Sequence, residues 1–160
     1  MKKIVGNHSK ALLAPTHLER ALKGAGEIKH FRAGSVLFVA GDKNKGIFLV
    51  CSGTVCLQVP EASHLDRAFS TGSILGLPST FVRRPYSLTA ACLTDCEVVH
   101  VGKRKFVELM TRRPVLCREA TDILSREMAF ILSAFGKRPY KRRANKRAKA
   151  LEVRSTEKIP

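Results

Sequence analysis

Short apolar runs separated by polar turns fill the middle of the chain. Val36–Ala40, Gly46–Cys51 and Thr54–Val59 are each of strand length, and Gly41, Gly46 and Gly53 fall where the chain must reverse. Between the first two runs, Asp42-Lys43-Asn44-Lys45 has no apolar residue to bury, which places it on the surface. Further candidate strands are Ile28–Arg32, Ala68–Thr71, Ser87–Leu93 and Glu97–Val101. In Ser87–Leu93 the alternation is loose, which predicts burial on both faces. Closely spaced short strands with turn residues between them predict a small antiparallel β-roll, a shell whose inside can hold a ligand.

Helical spacing flanks this region. Residues 9–24 place Leu12, Leu13, Leu18 and Leu22 on one face, with Ser9 as a cap, Pro15 as an interruption and Gly24-Ala25-Gly26 as the stop. After Gly102, residues Lys103–Thr111 read as a short helix with Phe106, Val107 and Met110 inward. Pro114 forces the preceding residue out of helical geometry and suits the first position of a new helix, Val115–Phe135. Its residues Leu124, Met128, Ile131 and Phe135 follow a 4-3-4 spacing that extends back to Thr121 and Cys117. Gly136 stops it and Pro139 confirms the stop. Such a seam needs a cover. Packing back on the roll and pairing with the same helix of a second subunit are both open.

Three segments follow: a helical segment over 1–26, the roll with its C-terminal helices over 27–135, and a basic tail over 136–160, expected to be flexible. The chain of 160 residues is long enough for one good core, and 44% apolar content excludes a disordered protein. Its longest apolar runs are far too short to span a membrane, and the apolar stretch at Ile4-Val5 ends at once, so no signal peptide is read and a cytoplasmic location is expected.

The net charge of +16 changes the picture. Residues 136–160 hold ten Lys/Arg and two Glu, half of the excess. Such a balance favours polyanions. The eight cations Lys137, Arg138, Lys141, Arg142, Arg143, Lys146, Arg147 and Lys149 are candidate nucleic-acid contacts with steep salt dependence. Tyr140 is the only aromatic among them, a poor stacking platform.

Catalytic chemistry finds little support. His8, His17, His30, His64 and His100 are scattered, and no H-x-H, G-x-S-x-G, P-loop or dinucleotide motif occurs, so neither an enzyme nor a metal site is expected. His100 alternates with Val99 and Val101, which places it on the outer face of a strand. The five cysteines, Cys51, Cys56, Cys92, Cys96 and Cys117, form no C-x-x-C pair and read as reduced, buried residues; Cys92 and Cys96 lie in or near neighbouring candidate strands, which keeps a redox role open.

The order A-G-x-h-h-F-x-x-G-D over Ala33–Asp42, then G-h-F-h-h-x-x-G-x-V over Gly46–Val55 (h apolar), resembles the opening half of a cyclic-nucleotide-binding domain of the Crp/Fnr type. The resemblance covers about Glu27 to Phe135. It implies a mainly β fold, a double-stranded β-roll or jelly roll with an N-terminal helix and a C-terminal dimer helix. It also implies a non-enzymatic, ligand-sensing regulator linked to transcription, a homodimer through helix 115–135, with a cyclic nucleotide (cAMP or cGMP) or another small effector. The winged helix-turn-helix of full-length regulators has no room after Gly136, so its DNA-reading helix is expected to be absent. A ligand-independent dimeric nucleic-acid binder acting through the tail is the alternative.

Gly72-Ser73-Ile74-Leu75-Gly76, with Arg84, Tyr86 and Ser87 further on, resembles the family's phosphate-binding cassette. There a short helix begins just after a glycine, a glutamate follows that glycine to hold the ribose, and an arginine before a Ser/Thr neutralises the phosphate. With Gly72 and Ser87 matched, Ser73 stands at the glutamate position and Tyr86 at the arginine position. Loss of one charge-assisted contact removes roughly 1.5–3 kcal/mol, about one to two orders of magnitude in affinity. Arg84 lies two residues earlier, on the same face if the chain is extended, and is the candidate substitute. The other reading is a hairpin that fills its own pocket with Ile74, Leu75, Leu77 and Tyr86.

Overall fold

The computed structural model describes residues 13–136. In chain order the elements are α1 (Thr16–Ala25), β1 (Glu27–Phe31), β2 (Val36–Phe38), β3 (Gly46–Ser52), β4 (Val55–Gln58), β5 (Arg67–Phe69), β6 (Ile74–Leu75), α2 (Leu77–Phe81), β7 (Thr89–Cys92), β8 (Cys96–Gly102), α3 (Lys103–Arg112) and α4 (Pro114–Gly136). The chain divides after Ala129 into two compact units. The tail expected to bind nucleic acid, Lys137 to Lys149, lies outside the described residues, as do Ser9 and Leu12.

The strands form two four-stranded sheets, in the orders β1-β8-β3-β6 and β2-β7-β4-β5, and every pairing is antiparallel. This is the expected roll. Residues Gly46 to Val50 of β3 are all buried, so the strand shows no alternation. The cause is cover on both sides: α1 and α3 lie against β3 and β8 on the side away from the second sheet. Leu18 and Leu22 of α1, Phe106 and Met110 of α3, and Val99 and Val101 of β8 join one core with the interior of the roll. Each large side chain so buried contributes roughly 1.5–3 kcal/mol. By contrast β1 is an edge strand, exposed from Glu27 to His30.

Several local expectations change. Pro15 does not interrupt α1 but precedes it, its carbonyl accepting from the Glu19 N–H at 2.9 Å. Leu13 lies outside the helix and forms a β-bridge with Ser73. β7 alternates after all, with Ala90 and Cys92 buried and Thr89 and Ala91 half-buried. Val107 is exposed rather than inward. Asn44, in the turn expected at the surface, is only 8% exposed.

Gly46 shows why a glycine is required at the start of β3. Its φ is +132°, and a Cβ there would run into the Val101 carbonyl oxygen. The close approach lets Gly46 pair directly with Gly102 at the end of β8.

Up to Ala129, α4 buries Leu116, Ala120, Ile123 and Glu127, a 4-3-4 face that meets the core. Glu127 forms an ion pair with Arg67 of β5, both largely buried, and the Arg67 guanidinium sits 5.1 Å from the Phe69 ring centre. The seam read from the sequence is the neighbouring one. Cys117 and Leu124 are half-buried, and Thr121 and Met128 are exposed, Met128 by 56%. The roll therefore takes one face of the helix, with Cys117 and Leu124 packed at its margin and Thr121 and Met128 left exposed. In the second unit, described to Gly136, the Ser133 hydroxyl donates to the Phe130 carbonyl at 2.8 Å and Leu132 is exposed.

Candidate functional site

Antiparallel pairing with β3 decides how the cassette segment folds. Phe48 pairs with Leu75 and Leu49 with Ile74, so Ile74-Leu75 is strand β6. The Gly72 N–H donates to the Val50 carbonyl (2.8 Å), the Val50 N–H to the Ser73 carbonyl (2.9 Å) and the Ala14 N–H to the Gly72 carbonyl (2.8 Å). Gly72, in a turn at φ +88°, and Ser73, bridged to Leu13, are thus both held by backbone bonds to their neighbours. The short helix begins after Gly76, which adopts φ +80° at its N-cap. By the cassette's own logic the glycine is Gly76, and the residue after it is Leu77, not Ser73. Leu77 is fully buried and apolar. No carboxylate stands where the ribose contact is expected.

Tyr86 occupies the arginine position from inside the core, 3% exposed. Its ring stacks on Phe38 at 4.1 Å between centres, and Phe38 in turn lies 5.6 Å from Phe48. Its hydroxyl donates to the Gly46 carbonyl (2.8 Å) and accepts from the Lys45 N–H (3.1 Å). Its backbone is held as well: the N–H donates to the Asp42 carbonyl (3.0 Å), and its carbonyl accepts from the Gly41 N–H (2.7 Å). Ring, hydroxyl and backbone are therefore all committed to the chain from Gly41 to Gly46.

Asn44 explains its own burial. Its Oδ1 accepts from the Gly46 N–H (2.8 Å) and its Nδ2 donates to the Thr80 hydroxyl (3.1 Å), which donates to the Gly76 carbonyl (2.8 Å). These contacts tie the β2–β3 turn to α2. Asn44 and Thr80 were missed in the sequence, and Leu77 was read as a pocket-filling residue but not as the one after the cassette glycine. The Asn-x-Gly spacing at Asn44–Gly46 was the available signal, because asparagine side chains close turns onto backbone two residues on.

Arg84 does not share the face of Tyr86. Arg83 takes φ +55°, so the segment bends, and Arg84 is exposed with its N–H donating to the Ser79 carbonyl at 3.0 Å. Ser87 is exposed as well. Of the eight candidates, Ser73, Ile74, Leu75 and Tyr86 are buried and Gly76 closes against the Tyr86 ring, whereas Arg84 and Ser87 are exposed. The Ser73 hydroxyl is buried with no hydrogen-bond partner among the described residues.

Electrostatics follow from this packing. Burial pushes the Tyr86 phenol above its usual range, opposed by its bonds to the Lys45 and Gly46 backbone. The side chain is therefore neutral near pH 7 and offers an anion no charge. The segment from Gly72 to Ser87 presents one side-chain plug, several apolar walls and no inward cation.

The other chemical groups are inert or dispersed. All five cysteines are free; Cys56, Cys92 and Cys96 are buried, Cys51 and Cys117 half-buried. Burial, then the Cys96 thiol beside it, pushes Cys92 up to about 12, which suppresses the thiolate needed for exchange. Among the described residues no group of three or more His, Cys, Asp or Glu is placed to hold a metal ion. No helix among them is long and apolar enough to cross a membrane.

His100 departs from the sequence reading. Val99 and Val101 face α1, where a Cβ at Gly26 would meet both side chains. His100 therefore takes the opposite face of β8, the face of Phe48, on whose ring it stacks at 4.7 Å. The apparent outside of this strand is core, because helices cover it.

The family description "Cyclic nucleotide-binding domain" matches residues 28–113. Among solved structures, the chain is similar to the catabolite activator protein of Thermus thermophilus, with 21% identity, a TM-score of 0.65, and coverage of 78% of this chain and 59% of that one. It is similar to a protein of a cyclic-GMP-dependent signalling pathway that regulates bacterial phytopathogenesis: 18% identity, TM-score 0.64, 76% of this chain and 96% of that one. A third is a putative cAMP-binding regulatory protein from Silicibacter pomeroyi DSS-3, at 26% identity and TM-score 0.53, covering 77% of this chain and 56% of that one. The chain spans less than two thirds of the first and third of these proteins.

Proposed function

The chain belongs to the cyclic nucleotide-binding domain family, and from that premise we propose that it is a non-enzymatic, cytoplasmic regulatory domain of the Crp/Fnr type, linked to transcription control, whose nucleotide cradle is filled by its own side chains. The observation that carries this reading is Tyr86, at the arginine position, stacked on Phe38 and bonded to Gly46 and Lys45. A phosphate placed there meets a neutral phenol with both hydrogen bonds in use, and a ribose meets Leu77. The absent charged contact alone costs about one to two orders of magnitude in affinity, and displacing the plug costs more.

In this reading the filled cradle replaces a bound nucleotide as the support for α4. The seam through Cys117, Thr121, Leu124 and Met128 is then free for the same helix of a second copy, forming a homodimer. The basic residues from Lys137 to Lys149 supply salt-sensitive contacts to nucleic acid. A small effector acts by shifting the roll against α4.

A second reading, direct sensing of cAMP or cGMP, is favoured by the two neighbours described in cyclic-nucleotide terms. Calorimetric titration of the full chain with cAMP and cGMP separates the two. The filled cradle predicts no saturable heat up to about 1 mM nucleotide, the range of a −4 kcal/mol interaction. Micromolar binding that survives Arg84→Ala but is abolished by Tyr86→Ala would overturn the filled cradle and establish a tyrosine-lined nucleotide site.

A further inference from the structure

A second concavity lies outside the cradle. Residues opposite each other in a sheet share a face, so the register that pairs Glu27 with His100 and Lys29 with Val98 puts Glu27, Lys29 and His100 on one surface of β1 and β8. The first turn of α3 follows directly from β8 and adds Lys103, Arg104 and Lys105. Together these residues line a cleft of about 440 Å³.

Four observations describe its chemistry. The cleft gathers four cations against one carboxylate, Glu27. Among the described residues, the ion pairs found are His17–Glu119, Lys23–Glu19, His30–Glu97, Arg67–Glu127 and Arg112–Glu108, and none of them engages a cleft cation. The first turn of α3 has no acidic residue, and its N-cap, Gly102, has no side chain to cap it. Three consecutive cations thus stand at the positive end of a helix dipole, where each is unfavourable in isolation. Finally, Nε2 of His100 is buried in the wall with no hydrogen-bond partner among the described residues.

Each of these departures from ordinary practice is relieved by the same thing, an oxyanion with further polar groups. A concave site with a polar atom sunk below its rim suits a small ligand better than a broad macromolecular surface. We propose that this cleft is a binding site for a small phosphorylated ligand, its phosphate held at the start of α3 by Lys103, Arg104 and Lys105 and its remaining polar edge reaching His100. The site is separate from the cradle, and it stands whether or not the cradle binds a nucleotide.

The test uses the full chain at low ionic strength with inorganic pyrophosphate as probe, followed by the imidazole resonances of His100 and by calorimetry. The ring reports from the cleft itself, so phosphate taken up elsewhere on this basic chain leaves it in place. Saturable movement of the His100 resonances is expected. Arg104→Gln with Lys105→Gln should weaken binding about tenfold or more, as the loss of charge-assisted contacts requires. Lys29→Gln, on a different element, provides a second variant should the first disturb α3. Arg32→Gln, just past the far end of β1, removes the same charge and should leave the affinity unchanged. Absence of saturation, or an equal loss in Arg32→Gln, would overturn the site in favour of diffuse attraction. So would movement of His100 by a duplex oligonucleotide but not by pyrophosphate, which would make the cleft a nucleic-acid surface.

Discussion

The cradle around Tyr86 and the cleft around His100 meet at Gly46, and they treat polar atoms in opposite ways. In the cradle every polar atom of Tyr86 has a partner, and Asn44 and Thr80 are bonded to their neighbours. In the cleft, cations at a helix N-terminus have no ion-pair partner among the described residues, and the buried ring nitrogen beside them has no hydrogen-bond partner there. The difference lies in what water can do. The cations reach solvent, so leaving them unpaired costs little and the site stays open to a ligand. A polar atom inside the roll has no such recourse, and those of Tyr86, Asn44 and Thr80 are satisfied internally, the buried Ser73 hydroxyl being an exception among the described residues. A region with its hydrogen bonds closed is a structural plug; one with its charges open is suited to binding.

Substitutions can break this contrast, and the largest effect belongs to the plug. Tyr86→Ala removes a stacked ring and strands the Gly46 carbonyl and the Lys45 N–H, so it should destabilise the fold by roughly 3–5 kcal/mol. Thermal unfolding should show a fall of roughly 10 °C or more. If Tyr86→Ala leaves the melting temperature unchanged, the ring is not part of the core. Gly46→Ala attacks the point where both regions meet. Strain at φ +132° costs roughly 1–3 kcal/mol, and the clash with Val101 adds to it. The same variant should disturb the amide spectra of both the Tyr86 and the His100 neighbourhoods, and a response confined to one would separate them.

The cleft should respond with the opposite sign. Lys103→Gln relieves repulsion at the start of α3 and should raise stability by roughly 0.3–1 kcal/mol, measured from the urea midpoint. Destabilisation instead would mean that Lys103 is already paired in solution. The smallest effect is a pH dependence. Burial, then the Lys29 charge, holds the His100 imidazole below its ordinary value of 6.5, opposed by the Lys45 backbone and Glu27. With a depressed folded pKa, the unfolded chain binds the proton more readily below pH 6.5. Stability from this group is therefore full above about pH 6.5 and falls as pH drops toward the folded value. His100→Gln should flatten that slope in melting temperatures recorded between about pH 5 and 7.5, and an unchanged slope would place its origin elsewhere.

Much of the architecture was legible from periodicity alone. The order of β3, β4, β8, α3 and α4 follows from where Gly46, Gly53, Gly102 and Pro114 punctuate apolar runs, since glycine and proline act through the local backbone. The site was read less well. Gly72 and Gly76 look equivalent as letters, both take a positive φ, and only pairing with β3 shows that Ile74-Leu75 is strand and that the helix begins after Gly76. Arg84 and Tyr86 are two apart, a spacing that puts them on one face only in an extended chain, and the bend at Arg83 removes that condition.

The sequence by itself determined the β-roll, its flanking helices and the concentration of positive charge. Those follow from composition and from spacing along the chain, which need no partner. Which face of α4 meets the core, whether His100 looks toward helices or toward the roll, that Tyr86 plugs the cradle and that Lys29 joins Lys103, Arg104 and Lys105 were decided only by the tertiary structure. Each depends on residues far apart in sequence coming together, and burial, the main source of stability here, is a property of that assembly rather than of any local stretch.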